Sequence, residues 1–323
     1  MIGPFLFLCY NSVRRTKGAM TMKLETISLN ESARLDAYIL DAEISYQVTK
    51  KRPTIIICPG GGYLLHATKE GEAIATAFLN QGYHCLVLRY STYYKKRVTS
   101  LEERPEINAS ATYPQQAIEL MTTMKLIHDR ADDWMIDVEN IFVVGFSAGG
   151  HLAATLGTRW HDKDLLQKLP FEIDKALLKP KGLILGYPLL KGDAADYMVT
   201  NAPDGDLIKY QVDDINRCLF QTENPTREQM ADVDILEHID AHTPPTFLWT
   251  TLTDQIVDPL AGLDYIRLLH QAGVSGELHI FEEGQHGLGR ADAVSAKTSN
   301  DINPSVAQWV PLALIWIANQ IIK

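Results

Sequence analysis

The stretch Val143-Val144-Gly145-Phe146-Ser147-Ala148-Gly149-Gly150 constrains the fold of this chain more than any other. A β-branched run enters a G-x-S-x-G turn and leaves through small, helix-compatible residues, so strand must become helix within a few positions. A serine lifted onto so tight a turn sits in strained backbone, and its neighbours two positions away must be nearly free of side chain for the turn to close. Gly145 and Gly149 meet that need. Such a turn presents the Ser147 hydroxyl at the rim of a sheet and aims the amide of Ala148, with the start of the new helix, at the same point. Ser147 is therefore the candidate nucleophile, and the chemistry it points to is acyl transfer.

The surrounding pattern supplies the sheet. Short apolar runs rich in β-branched residues recur at 54–58, 85–88, 141–145, 182–186, 246–251 and 278–281, and each has the character of a strand buried on both faces. Between them lie helix-period sets such as Ala73, Ile74, Ala77 and Phe78, or Ala117, Ile118, Met121 and Met124, or Leu263, Ile266, Leu269 and His270. This alternation predicts an α/β fold with a mostly parallel central sheet and helices on both faces. Leu35, Ala37 and Ile39 alternate with polar residues, which predicts an antiparallel hairpin at the start of the sheet. From 191 to 244 the periodicity loosens around turn signals, so a cap or insertion is expected there, over the sheet edge where open α/β folds place their ligands.

Composition removes several classes of function. The 323 residues carry 46% hydrophobic side chains and a formal net charge of −10, with no basic run, which opposes binding to nucleic acid or to anionic lipid. The four cysteines show no metal-ligand spacing and read as reduced thiols of a cytoplasmic protein. Residues 1–21 hold a short apolar run followed, not preceded, by Arg14, Arg15 and Lys17; the expectation is a disordered leader, with Met20 or Met22 as the working start and 22–323 as one domain. The apolar stretch 309–318 contains Pro311 and is shorter than the ~20 residues of a membrane span, so it predicts a buried closing helix.

A hydroxyl is a poor nucleophile at neutral pH, so Ser147 needs an imidazole to take its proton and a carboxylate to orient that ring. In the chain order serine, acid, histidine, the last strand should release a histidine into a loop, and Gly284-Gln285-His286-Gly287 has that form. Asp254 stands just past the run 246–251 and is assigned as the acid. Asp258, immediately before Pro259, is assigned to helix capping, and Asp193 is the fallback acid. After the first central strand comes Pro59-Gly60-Gly61-Gly62-Tyr63, whose missing side chains let backbone amides converge on a substrate oxygen. Gly61, Gly62 and Ala148 are the candidate oxyanion donors, and Tyr63 and His66 are expected beside the pocket mouth. The loop has neither the lysine nor the spacing of a phosphate loop, and no cofactor or metal is expected.

These residues together resemble the α/β-hydrolases, and within them the short-chain carboxylesterases that include bacterial carbohydrate acetyl esterases. The resemblance runs from about Lys51 to the C-terminus, through Cys58-Pro59-Gly60-Gly61-Gly62-Tyr63, Leu86-Val87-Leu88-Arg89-Tyr90, Gly145-Phe146-Ser147-Ala148-Gly149-Gly150-His151-Leu152-Ala153, Thr253-Asp254 and Gly284-Gln285-His286-Gly287. It implies a Ser147, Asp254, His286 triad and a small-molecule ester as substrate, with removal of acetyl or other small acyl groups from sugars or small alcohols. The chain departs from many relatives in carrying Pro59 where they open the loop with histidine. A homo-oligomer is compatible with the sequence. Two rival readings stay open: a serine peptidase or acyltransferase on the same nucleophile, and a hydrolase scaffold that binds a ligand without catalysis.

Overall fold

A computed structural model describes residues 22–40, 51–96, 105–203 and 205–322. The expected leader over 1–21 and Cys9 lie outside the described residues. The predicted hairpin is β1 (Met22–Ser28) and β2 (Arg34–Leu40), paired antiparallel. The six apolar runs become β3 (Arg52–Cys58), β4 (His84–Arg89), β5 (Ile136–Phe146), β6 (Gly182–Gly186), β7 (Thr246–Thr251) and β8 (Gly276–Phe281). They form one sheet in the order β1-β2-β4-β3-β5-β6-β7-β8, parallel from β4 to β8, with β2 antiparallel to β4.

The largest difference from the sequence expectation is the early start of β5. Ile136 pairs with Arg52, and residues 137–140, polar except for Val138, then loop out before Ile141 meets Thr54. Asp137 holds that bulge by accepting from the Glu139 amide and the Asn140 side chain. Its polar composition hid it from a search for apolar runs.

The central strands alternate their side chains between two cores, whereas β1 is an exposed edge that buries only Ile27. Ile55, Ile57, Val87, Val144 and Phe247 face one side, where α1 (Glu72–Leu79) and the C-terminal α9 (Trp309–Ile322) cover them. Ile56, Leu86, Val143, Leu185 and Leu248 face the other, under α2 (Gln115–Asp129), α3 (Ala148–Arg159) and α8 (Ala261–Gln271). A short α4 (Lys163–Leu166) follows α3. Between β6 and β7 the expected insertion carries α5 (Ala194–Asn201), α6 (Gly205–Phe220) and α7 (Arg227–Val233). Cys58, Cys85 and Cys218 are buried free thiols, and burial pushes all three up. Among the described residues no helix is long and apolar enough to cross a membrane.

Trp309, at the head of α9, stacks on Trp249 of β7 with ring centroids 5.4 Å apart, and its indole N–H donates to the Gly289 carbonyl at 3.0 Å. It therefore joins the core to the loop beyond β8. Trp309→Ala should lower the unfolding free energy by about 3–5 kcal/mol, read as a fall in the urea midpoint, because the cavity cannot close against a neighbouring indole. An unchanged midpoint would mean that the stack contributes nothing.

Candidate active site

Ser147 stands between β5 and α3 with φ 52° and ψ −121°, the left-handed backbone expected of the turn. Its amide donates to Gly186 O at 3.1 Å, and its carbonyl accepts from His151 and Leu189, so β6 and α3 grip it from both sides. A Cβ on Gly145 would lie 2.2 Å from the Gly149 carbonyl oxygen, and one on Gly149 would lie 2.1 Å from that of Cys58. No side chain fits at either place.

His286, in the loop after β8, brings Nε2 to 2.9 Å from Ser147 Oγ and Nδ1 to 2.7 Å from Asp254 Oδ2. A carboxylate only accepts, so Nδ1 carries the proton and Nε2 is left bare to receive the one on Oγ. Asp254 is 2% exposed, and its other oxygen accepts from the amides of Ile256 and Val257, which fixes the carboxylate in the turn after β7. The histidine loop is pinned in turn: Gly284 O accepts from the hydroxyls of Thr251 and Thr253, and Gly284 N donates to Thr253 Oγ1.

The other two aspartates lie elsewhere. Asp193 sits at the start of α5, in a neighbouring polar cleft with Lys191, Asp196 and Tyr197. Asp258 accepts from the Leu260 amide and pairs with Lys191 at 3.0 Å, but α8 begins only at Ala261. Pro259 thus lies in a preceding turn and not at the first helical position, a correction to the sequence expectation.

The glycine loop folds on itself. Gly61 (φ 121°), Gly62 (φ 64°) and Tyr63 (φ 61°) all have positive φ, and the Gly61 carbonyl accepts from Leu64 and Leu65. The Gly60 amide is taken by the buried carboxylate of Glu70 at 2.7 Å. Among the described residues the amides of Gly61, Gly62 and Ala148 find no protein acceptor. Gly62 and Ala148 line a cavity beside Ser147; its volume is about 40 Å³ and its walls are largely apolar, with Met198, Val212, Ile215, Leu219, Phe220 and Val233 from the insertion.

Tyr63 lines that cavity, as does His151. Its hydroxyl lies 2.7 Å from His151 Nδ1, while His151 Nε2 lies 2.8 Å from the Val233 carbonyl. Because that carbonyl can only accept, Nε2 bears the proton and Nδ1 accepts from the phenol, which holds the ring neutral. Burial lowers the His151 pKa to about 4. His151 is not among the residues expected at the site, although its place one turn after Ser147 puts it on the same helix face.

His66 is the clearest correction. After Tyr63 the chain turns back, with the Ala67 amide on Gly60 O, and the His66 ring packs edge-on against Tyr90 at 4.7 Å. It does not line the cavity, and burial followed by the nearby Arg89 lowers its pKa to about 3. Among the described residues no cluster of three or more His, Cys, Asp and Glu is placed to hold a metal ion.

The BD-FAE family model matches residues 40–264, most of the chain and the stretch that holds Ser147 and Asp254. The chain belongs to the BD-FAE family. In sequence this BD-FAE protein is 24% identical over 279 residues to an acetylxylan esterase of Xylanibacter ruminicola, with 85% of the chain covered and 48% of that relative. A match at 27% identity to endo-1,4-β-xylanase B of Butyrivibrio fibrisolvens covers 74% of the chain and 33% of the relative. The chain thus spans a third to a half of these curated relatives. Among solved structures it is similar to a sugar hydrolase of Lactococcus lactis (TM-score 0.69, 31% identity, 93% and 98% of the two chains). It is also similar to the carboxylesterase Cest-2923 of Lactobacillus plantarum (TM-score 0.71, 26% identity, 93% and 98% covered), and both support the α/β-hydrolase fold.

His84 joins His151 as a buried neutral imidazole: its Nδ1 accepts from the Leu40 amide, and burial lowers its pKa to about 4. Between the ordinary imidazole value of about 6.5 and this lowered one, the unfolded chain binds protons that the native chain refuses. Acid therefore favours unfolding in that window, by on the order of 1 kcal/mol per pH unit for each ring. The Tm should fall steadily from pH 6.5 toward pH 4, with the shift already visible by pH 5; a Tm flat between pH 7 and pH 5 would contradict the buried neutral rings.

Proposed function

We propose that this protein is a serine carboxylic-ester hydrolase that acts on short acyl esters, acetylated sugars among them, through an acyl-enzyme intermediate. The observation that carries the reading is the continuous chain Asp254 Oδ2, His286 Nδ1, His286 Nε2, Ser147 Oγ, with links of 2.7 and 2.9 Å. In this scheme Ser147 Oγ attacks the ester carbonyl as its proton passes to His286 Nε2. The new oxyanion accepts from the Ala148 amide and from Gly62 or Gly61 of the glycine loop. Collapse breaks the bond to the alkoxy oxygen, which leaves with the proton returned by His286. Water, deprotonated by the same ring, then attacks the acyl-serine and restores the enzyme. Asp254 keeps its charge throughout and stabilises the imidazolium.

The cavity favours an acyl group of few carbons, since its volume is about 40 Å³ and Ile215, Phe220 and Met198 close it. The acetylxylan esterase relative supports an acetyl group on a sugar, and the polar cleft around Lys191, Asp196 and Tyr197 offers hydroxyl-binding groups nearby. A cytoplasmic location fits the three free, buried thiols.

Ser147→Ala should lower turnover of p-nitrophenyl acetate by a factor on the order of 10⁶ with an unchanged urea midpoint, and should abolish labelling by a fluorophosphonate probe. Asp254→Asn should cost on the order of 10⁴ in kcat, as the ring loses its tautomer. Substantial ester hydrolysis by the alanine variant would remove Ser147 from the reaction. Phe220→Ala should shift the preferred nitrophenyl ester from acetate toward butyrate and hexanoate; an unaltered chain-length profile would mean that this cavity does not hold the acyl group.

A further inference from the structure

Glu70, at the end of a short 3₁₀ turn over Thr68–Glu70, is 2% exposed, and the reaction scheme above makes no use of it. Its Oε2 accepts from the Gly60 amide at 2.7 Å, and its Oε1 accepts from the Tyr187 hydroxyl at 2.7 Å. The Tyr187 hydroxyl in turn accepts from the Gly289 amide at 2.9 Å. One carboxylate therefore joins the glycine loop after β3, the turn after β6 and the loop that carries His286. Among the described residues no cation pairs with it, because the adjacent Lys69 pairs with Asp301 at 2.7 Å. That pair is a second tie between the same two loops, since Asp301 also accepts from the Gln285 side chain.

The surroundings bring Glu70 within reach of the chemistry. A Cβ on Gly60 would lie 2.8 Å from Glu70 Oε2 and 2.9 Å from Ser147 Cβ, so only the bare backbone of Gly60 separates the carboxylate from the serine. Tyr187 packs edge-on against the His286 ring at 4.9 Å. Burial raises the Glu70 pKa, and the hydrogen bonds from Tyr187 and Gly60, then the nearby His286, oppose that rise. A buried carboxylate with no paired cation is a poor way to add stability, since an apolar group of the same volume would avoid the desolvation. Perturbed buried acids next to a cleft are instead common at functional sites.

We propose that Glu70 is a positioning residue, which sets the glycine loop against the histidine loop through Gly60 on one side and through Tyr187 and Gly289 on the other. It rests on the hydrolase reading above and deepens it. The oxyanion donors and the general base sit on separate loops, and an ester carbonyl must fit between them to within a fraction of an ångström. Glu70 fixes that separation.

The test uses the full chain and p-nitrophenyl acetate. Glu70→Gln keeps the size and can still accept from Gly60, but its NH₂ cannot accept the Tyr187 proton. Tyr187→Phe removes the other half of the bridge. Each should lower kcat at least tenfold while KM stays within about threefold, and the double variant should be no worse than about twofold below the poorer single one, because both cut the same link. A brace for stability alone would lower the urea midpoint and leave kcat of the folded protein near wild type. Folded Glu70→Gln with kcat within twofold of wild type, or two losses that multiply, would overturn the proposal. If Glu70→Gln does not fold, Tyr187→Phe decides alone by the same kcat criterion. Ser147→Ala run in parallel separates the two readings: activity retained there defeats the hydrolase assignment, whereas a dead Ser147→Ala beside a fully active Glu70→Gln defeats only the role of Glu70.

Discussion

Ser147 holds its left-handed backbone only because three strands converge on it. Left-handed geometry for a residue with a Cβ costs about 1–3 kcal/mol and persists where the surroundings over-determine it. Here the amide of Ser147 is tied to β6 through Gly186 O, and its carbonyl is tied to Leu189, while Gly149 lies against the Cys58 carbonyl at the end of β3. The elbow is thus packed on β3 and β6 at once. Since the glycine loop is the direct continuation of β3, the same contact that makes Gly149 obligatory also sets the height of Gly61 and Gly62 relative to the serine.

Around this elbow the buried polar groups divide by charge. The imidazole of His151 is neutral, with one nitrogen donating to Val233 and the other accepting from Tyr63. It braces the far end of the glycine loop against the insertion without adding charge beside the amides proposed to hold the oxyanion. The carboxylates of Asp254 and Glu70 are placed instead near His286, the group that becomes cationic in the proposed reaction. Low-dielectric surroundings magnify both choices. In the proposed reaction an anion near the ring favours the transition state, and neutral struts beside the glycine amides leave their dipoles undiminished.

Much of this was legible in the sequence, for a reason that can be stated residue by residue. Ser147, Asp254 and His286 each follow an apolar run, so their places beyond the ends of β5, β7 and β8 follow from the strands themselves; β5 and β7 are buried there on both faces, whereas β8 is the edge strand and only half-buried, against the sequence expectation. Gly61 and Gly62 were readable because a run of glycines directly follows the apolar run that forms β3. The fate of His66 was not readable: it depends on the Gly60 and Ala67 hydrogen bond that reverses the chain, and no residue nearby announces a turn of that shape. Glu70 and His151 were invisible for a related reason. Each acts through partners more than 80 residues away, Glu70 on Tyr187 and His151 on Tyr63 and Val233, and local pattern carries no record of such pairs.

The division between scaffold and insertion explains how one chain can keep its chemistry fixed while its specificity is free to vary. The groups proposed to react come from the turns and loops just beyond strand ends, whose positions are shared by the whole hydrogen-bonded sheet. The cavity walls come mainly from α5 and α6 and from the residues after them, which are held to the scaffold by side-chain bonds such as His151 on Val233, Tyr94 on Asp214 and Cys218 on Ala111. Substituting Ile215 or Phe220 alters the space offered to an acyl group without moving Ser147, whereas any substitution at Gly149 moves the serine itself. A brace such as Glu70 belongs with the first class by location, since it lies under the sheet edge and touches no wall of the cavity. Its effect should therefore fall on the rate at which bound ester reacts and not on which ester is bound.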